Sequence, residues 1–401
     1  MKTGAIIPLV GGGVIGQKMA TGQDPDFIIS WPAFEANDSN IRGYMPHVPF
    51  HLLDEETNAF IGAAPAHKQY QNADVVFLLP PCAGLCSLNS AKGEMGRGPD
   101  AFQNRWMYIS SNYAMDIGAR AIVMENAPAL FTGVGKKVRD RMIENAAKRG
   151  YSMSFIKTDT MLHGIPQQRK RTFAFFWKDM KAPTLELTAS IRLSLEDFLH
   201  TKNRRNLKND RHANVKPSGD LNDDPFHQWM LHKHQDTVGI RKYMKTQARK
   251  TVAMMAHENG LLKEMSDWVC KKYPGTPSAR MSKHWLSKFA SGLGIWDSSP
   301  FYADSNSNAM VSKNIRNLVV PTCDSFLTER EVMHLMGLPH DFNLVTDNIY
   351  HATQNVPCTT AADMVSLTLR VLNGDLKETN DNVSWLNFTS KQPVFGVGAM
   401  K

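Results

Sequence analysis

The stretch DVVFLLPPCAGLCSLNS, Asp74 to Ser90, decides how this chain is read. Val75 to Leu79 is an unbroken run of β-branched, aromatic and leucine side chains, the composition of a strand buried on both faces of a parallel sheet. Pro80 and Pro81 end the run, because a proline has no N–H for a ladder and holds φ near about −65°. Cys82 is therefore presented stiffly, just past the carboxyl end of a strand. In open α/β sheets that edge is where ligands bind.

Working outward, residues 1 to 180 alternate strand-like runs (GAIIPLV, DFIISW, ADVVFLL, ARAIVMENAP, TFAFFW) with helical stretches. The alternation predicts an α/β fold, a parallel sheet with helices on both faces. GKKVRDRMIENAAKRGY sets Val138, Met142, Ile143 and Ala146 at helical spacing, with Gly150 as the stop. From Lys181 the texture turns polar and turn-rich (RRNLKNDRHANVKPSGDLNDDP), and GIRKYMKTQARKTVAMMAHENGLLKEMSDWVCKKYPG reads as two basic helices. After about Val320 the α/β character returns. FLTEREVMHLMGLP opens on a Thr N-cap and stops at Gly337 and Pro339, and AADMVSLTLRVLNG is a last apolar helix. Beyond Gly374 the chain reads as polar and irregular. The expected organisation is a catalytic domain over 1–180, a basic insert over 181–319, a return to the catalytic domain over 320–378, and a tail over 379–401.

A length of 401 residues, 42% hydrophobic and 21% charged, suits a soluble two-domain protein and excludes fibrous or disordered classes. No window approaches the roughly 18 apolar residues of a membrane span. The glycine-crowded amino terminus lacks a convincing cleavage site, so it is expected to be structure rather than a signal. Cys82, Cys86, Cys270, Cys323 and Cys358 form an odd set with no CxxC pair, which points to a reducing, cytoplasmic compartment. The formal net charge is +8, and Lys181 to Val320 holds 22 Lys and Arg against 13 Asp and Glu, so the excess sits mid-chain and favours an anionic partner. His227, His232 and His234 fit no zinc spacing; they are read as solvated or nucleic-acid-facing, with no metal expected. Trp229, Trp268, Trp285 and Trp296 are read mainly as core.

Cys82 has chemical company. Glu125 and Asn126 follow the short apolar strand Ala121 to Met124, so in a parallel sheet they emerge at the same edge as Cys82. A thiol and a carboxyl in one pocket imply a nucleophile and an acid. In HGIPQQRKRTFAFF, Arg169 and Arg171 alternate around Lys170, which places both guanidinium groups on one side of an extended segment, as phosphate or carbonyl binding requires.

Together these pieces resemble the DNA cytosine-5 methyltransferase family, in the family's order through most of the chain. PPCAGLCS is similar to its Pro-Cys nucleophile motif, ENAP to its Glu-Asn-Val motif, and Gln167 to Arg171 to its Gln-x-Arg-x-Arg motif. FLTEREVMHLMGLPHDF resembles its Thr-x-Arg-Glu helix, and Gln354 to Pro357 its closing Gly-Asn-x-Val-Pro element. The resemblance implies a Rossmann-like S-adenosylmethionine-dependent sheet with a smaller inserted target-recognition domain, acting on double-stranded DNA; the oligomeric state is not legible in the sequence, and a monomer is the expectation. It implies that Cys82 adds to C6 of a flipped-out cytosine, that Glu125 protonates N3, and that Arg171 and Arg169 bind the carbonyl or phosphate and favour the thiolate. SAKGEMGRGPDAFQN, with Gly93, Gly96 and Gly98, resembles the family's loop that closes over DNA.

The donor end matches less well. PLVGGGVIG follows the first strand as a cofactor loop should, with Gly12 and Gly13 on the family's paired glycines and Pro8 in place of its phenylalanine. Where the resemblance implies a ribose-holding carboxylate there stand Ser30, Trp31 and Pro32; Trp31 is expected to cover the adenine, and Glu35 or LLDEET to supply the acid. Pro81, Asn355 and Val356 complete the expected donor pocket. Rival expectations are a thymidylate-synthase-like enzyme acting on free nucleotides, a catalytically altered DNA-binding relative, and a modified sulfonium donor.

Overall fold

The computed structural model describes residues 1–61, 67–86, 89, 95–191, 193–200, 224–234, 249–292, 301–302, 306–310, 318–320, 325–345, 349–390 and 392–400. They form two units: Met1–Leu193 with Asn308–Met310 and Arg330–Lys401, and Ser194–Ser307 with Val311–Glu329. The return to the first unit is thus at 330 rather than 320, and it includes the tail.

The first unit is built on nine strands: β1 Thr3–Ile6, β2 Phe27–Ser30, β3 Phe50–Leu52, β4 Val75–Leu78, β5 Ala121–Asn126, β6 Tyr151–Asp159, β7 Lys170–Lys178, β8 Val383–Phe388 and β9 Val394–Val397. Their order across the sheet is β9-β8-β6-β7-β5-β4-β1-β2-β3. β1, β2, β4 and β5 are buried along their whole length, which is why their sequences are apolar runs and not alternations. Helices α1 Gly12–Thr21, α2 Glu35–Tyr44, α3 Arg105–Asp116, α4 Lys136–Ala147 and α5 Cys358–Leu372 pack around them. The chain runs one way from β1 to β3 and the other way from β4 to β5. Because such crossovers are right-handed, reversing direction puts α1 and α3 on opposite faces and opens a crevice between β1 and β4.

Two expectations are corrected. TFAFFW lies in β7, which pairs antiparallel with both β5 and β6. The link from β6 is short and holds one turn of 3₁₀ helix, Thr160–His163, so no helix-length crossover exists to make the pairing parallel. As a result, the amino end of β7 arrives at the carboxyl edge of β5. The tail, read as irregular, supplies β8, parallel to β6, and β9, antiparallel to β8. β8 alternates buried and half-buried residues, the pattern of a strand near a sheet edge.

In the second unit, helices Pro225–His234, Arg249–Glu258, Leu262–Lys272 and Pro277–Ala290 enclose their own core of Phe226, Trp229, Met265, Val269 and Trp285. Trp229 and Trp285 are core residues there, whereas Trp296 lies outside the described residues, as does the polar segment 201–223. His227 is not solvated. It is fully buried with Nδ1 2.9 Å from Asp224 Oδ1, and His232 stacks on Trp268. Among the described residues no cluster of ligating side chains could hold a metal ion. No helix among them is long and apolar enough to cross a membrane.

Candidate active site

β4 and β5 are parallel with Leu78 level with Met124, so Glu125 and Asn126 leave the sheet beside the Pro80-Pro81 turn. Asn126 closes that turn: its buried Nδ2 donates to the Pro80 carbonyl at 3.3 Å, and its Oδ1 accepts from the Ala127 N–H at 2.9 Å. Cys82 opens the next turn, where the Leu85 N–H reaches its carbonyl at 3.1 Å. The thiol is half-buried. Most of the stretch from Ser87 to Glu94, Gly93 included, lies outside the described residues; Asn104 anchors the far end of the loop by donating to the Gly98 and Pro99 carbonyls.

Arg171, arriving on β7, sets Nε 2.7 Å from Glu125 Oε1, and both side chains are largely shielded from water. Burial pushes the Glu125 carboxyl above the ordinary carboxylate range, with the Arg171 and Arg169 charges opposing it. The Cys82 thiol is held well above its ordinary value: the Cys86 thiol beside it keeps the proton in place and burial adds to this, while Arg171 pulls the other way. Cys82 therefore rests as a thiol, although Arg171 does favour its anion.

Arg169 does not act as the alternation suggested. It is 1% exposed, with Nη1 donating to the Met310 carbonyl at 2.8 Å and Nη2 to the carbonyls of Thr353 at 2.8 Å and Asn355 at 2.7 Å. Both terminal nitrogens of the fork are thus spent on backbone carbonyls, in a buried position rather than at an open face. Gln167, two residues back, works the same way, donating to the Leu335 carbonyl at 2.9 Å and accepting from the Met310 N–H at 3.3 Å.

The profile of the C-5 cytosine-specific DNA methylase family matches residues 61–356, more than half of the chain. The chain belongs to the C-5 cytosine-specific DNA methylase family. The type II methyltransferase M.AgeI of Thalassovita gelatinovora is 29% identical over 115 residues, 29% of this chain and 24% of that relative, so the chain matches only about a quarter of the relative's length. Among solved structures, one described as a DNA modification methyltransferase encoded within an E. coli prophage superposes with a TM-score of 0.55 at 14% identity, over 93% of this chain and 99% of that one. Spodoptera frugiperda DNMT2 superposes with a TM-score of 0.50 at 10% identity, over 92% and 100%. Entamoeba histolytica EhMeth does so with a TM-score of 0.50 at 12%, over 93% and 98%. At these identities the superpositions establish the shared α/β methyltransferase fold alone.

The matched region starts at residue 61, beyond the glycine loop and Trp31. The donor side must be judged on its own geometry. Gly11 adopts φ +107°, open to glycine, and turns the chain into α1. A Cβ on Gly12 would collide with the Val356 carbonyl and stand 2.5 Å from Asn355 Nδ2, so the loop and the Asn355-Val356 turn meet where only glycine fits. Asn355 Oδ1 accepts from the Val356 N–H at 2.9 Å, while its buried Nδ2 has no partner among the described residues. A buried donor beside a helix amino terminus suits an anionic or carbonyl group of a ligand.

Trp31 is corrected: it is fully buried, packed against Trp106 and Tyr113 with Nε1 3.3 Å from Asn58 Oδ1, and belongs to the core. Asp38 on α2 is fully buried at the ends of β1 and β2; its nearest polar neighbours are the Ser30 hydroxyl and the Leu9 N–H, and neither oxygen closes a bond in good geometry. Burial raises its carboxyl from 3.8 to about 8. The signal for it in the sequence was slight: one acid on a helix at a position facing inward.

Proposed function

We propose that this chain transfers a methyl group from S-adenosylmethionine to C5 of a cytosine in double-stranded DNA through a covalent bond between Cys82 Sγ and C6. The observation that carries this reading is the Glu125–Arg171 pair at the carboxyl edge of β5, level with the proline turn that presents Cys82. C6 is hidden inside a stacked duplex, so the cytosine is rotated out before reaction.

Cys82 gives its thiol proton to water as it attacks, with Arg171 favouring the anion, and its sulfur bonds to C6. Negative charge moving onto the ring is neutralised at N3 by a proton from Glu125, whose burial makes it a carboxyl able to hold that proton. Arg171 orients Glu125 and presents its remaining donors to the cytosine carbonyl. When bound, the donor supplies an electrophilic methyl group for C5, against the Gly12 turn and Asn355. Pro8, Gly12, Gly13, Pro81, Asn355 and Val356 are assigned to that side, and Asp38 is the acid we assign to a ribose diol. Loss of the C5 proton to water then lets the Cys82–C6 bond break, releasing the thiolate as Glu125 recovers the N3 proton. The basic second unit is assigned to the phosphates, and the protein to the cytoplasm as a monomer.

The test is to sequence the DNA of cells expressing the protein by a method that reads 5-methylcytosine. Methylation at one recurrent sequence, absent with Cys82→Ser, is expected. Unmodified DNA together with purified protein that methylates free dUMP would refute the reading.

A further inference from the structure

Resting on that reading, we infer that Arg169 is a positioning residue for the methyl donor, holding the Asn355 amide in the orientation that the donor meets. A fully buried cation is costly, since it forgoes its hydration. Among the described residues no carboxylate lies within ion-pair distance of it, its Nε has no partner, and its burial lowers the guanidinium to about 9. An apolar side chain would fill the same space more cheaply. What only a guanidinium offers is a rigid planar fork, here spread over three carbonyls from Met310, Thr353 and Asn355.

Fixing the Asn355 carbonyl has a defined effect one bond further on. With that peptide held toward Arg169, the Val356 N–H turns to the Asn355 side chain, and Oδ1 accepts it at 2.9 Å. Using Oδ1 in this way leaves Nδ2 as the free end of the amide, buried and unpartnered, 2.5 Å from where a Cβ of Gly12 would stand. Arg169 thereby selects which end of Asn355 faces the loop: a donor, matched to a carboxylate or carbonyl of the ligand. Two residues along the same strand lead-in, Arg171 grips Glu125. One short segment therefore holds both the acid and the donor-side amide, and its registration keeps their spacing.

S-adenosylhomocysteine serves as the probe, binding being measured calorimetrically on the full chain well below the melting temperature of each protein. In Arg169→Lys and Arg169→Met the dissociation constant is expected to rise about tenfold or more, the range seen when a supporting hydrogen bond behind a ligating side chain is removed. Lysine keeps the charge but not the fork, so an equal loss in both variants identifies geometry as the cause. Retained affinity in both, with only the melting temperature lowered, would overturn the inference as a merely structural role. Loss of duplex affinity with unchanged S-adenosylhomocysteine binding would overturn it in favour of base or phosphate binding. If neither variant folds, amide exchange on the wild type decides: the probe should slow exchange across residues 353–356 and at Met310, and no change there overturns the inference. A wild type that binds no probe refutes the donor reading itself, and the inference with it.

Discussion

Replacing Asp38 by Asn should make the protein more stable at neutral pH, and by an amount that grows with pH. Asp38 is fully buried at the ends of β1 and β2, and burial raises its carboxyl from 3.8 to about 8, the Ser30 hydroxyl, Leu9 N–H and Arg42 charge lowering it and Glu35 adding slightly. An acid whose folded value lies above its unfolded value binds its proton more tightly when folded. Its stabilising contribution is full below about pH 4 and is lost as pH rises to about 8. Each pH unit in that window costs about 1.4 kcal/mol, so at pH 7 the wild type has forgone about 4 kcal/mol relative to a side chain of the same shape that does not titrate. Asparagine is that side chain. Urea unfolding at intervals from pH 5 to pH 8 should show the wild type losing stability relative to Asp38→Asn at about 1.4 kcal/mol per unit. Parallel profiles for the two proteins would refute the reasoning, because they would mean that Asp38 titrates alike in both states. The same variant should bind S-adenosylhomocysteine more weakly, since a buried carboxyl kept at such a cost belongs to a ligand's hydroxyls rather than to the fold.

Cys82→Ser should abolish methyl transfer while leaving duplex binding intact, because a serine hydroxyl ionises far less readily than a thiol; gel-shift and methylation assays on the same preparation check this. Asn126→Ala should lower stability by about 1–3 kcal/mol through the unmade bonds to Pro80 and Ala127, and lower kcat by loosening the turn that carries Cys82; denaturation and turnover measured together test both. Truncation before Val383 should give an aggregating protein, since it strips β8 from β6 and leaves a long apolar edge strand, which light scattering would register.

How much of the site was legible follows from what each residue's role depends on. Cys82, Glu125 and Arg171 could be placed from sequence because each stands at the end of a strand-like run, and the end of a strand is a local property set by prolines and apolar length. Arg169 was misread. Alternation grouped it with Arg171, but whether a side chain meets a ligand or the backbone of residues 310 and 353–355 depends on contacts between parts of the chain far apart in sequence. Trp31 failed for the same reason, since Trp106, Tyr113 and Asn58 enclose it. The tail was missed because VSWLNF alternates like a partly exposed strand and has no apolar run, so its partner, β6, was needed to reveal it.

By itself the sequence determined the strands β1, β2, β4, β5 and β7 of the first unit, the stiff presentation of a thiol after two prolines, and the concentration of positive charge in mid-chain. Those are short-range matters of backbone restriction and composition. Only the tertiary structure decided that β7 runs antiparallel, that the tail completes the sheet, that Arg169 holds a turn, and that a buried Asp38 stands at the ends of β1 and β2 near Ser30. Each of these rests on which distant segments share one low-dielectric interior, where a charge or an orphaned amide has a free energy that no local pattern of residues encodes.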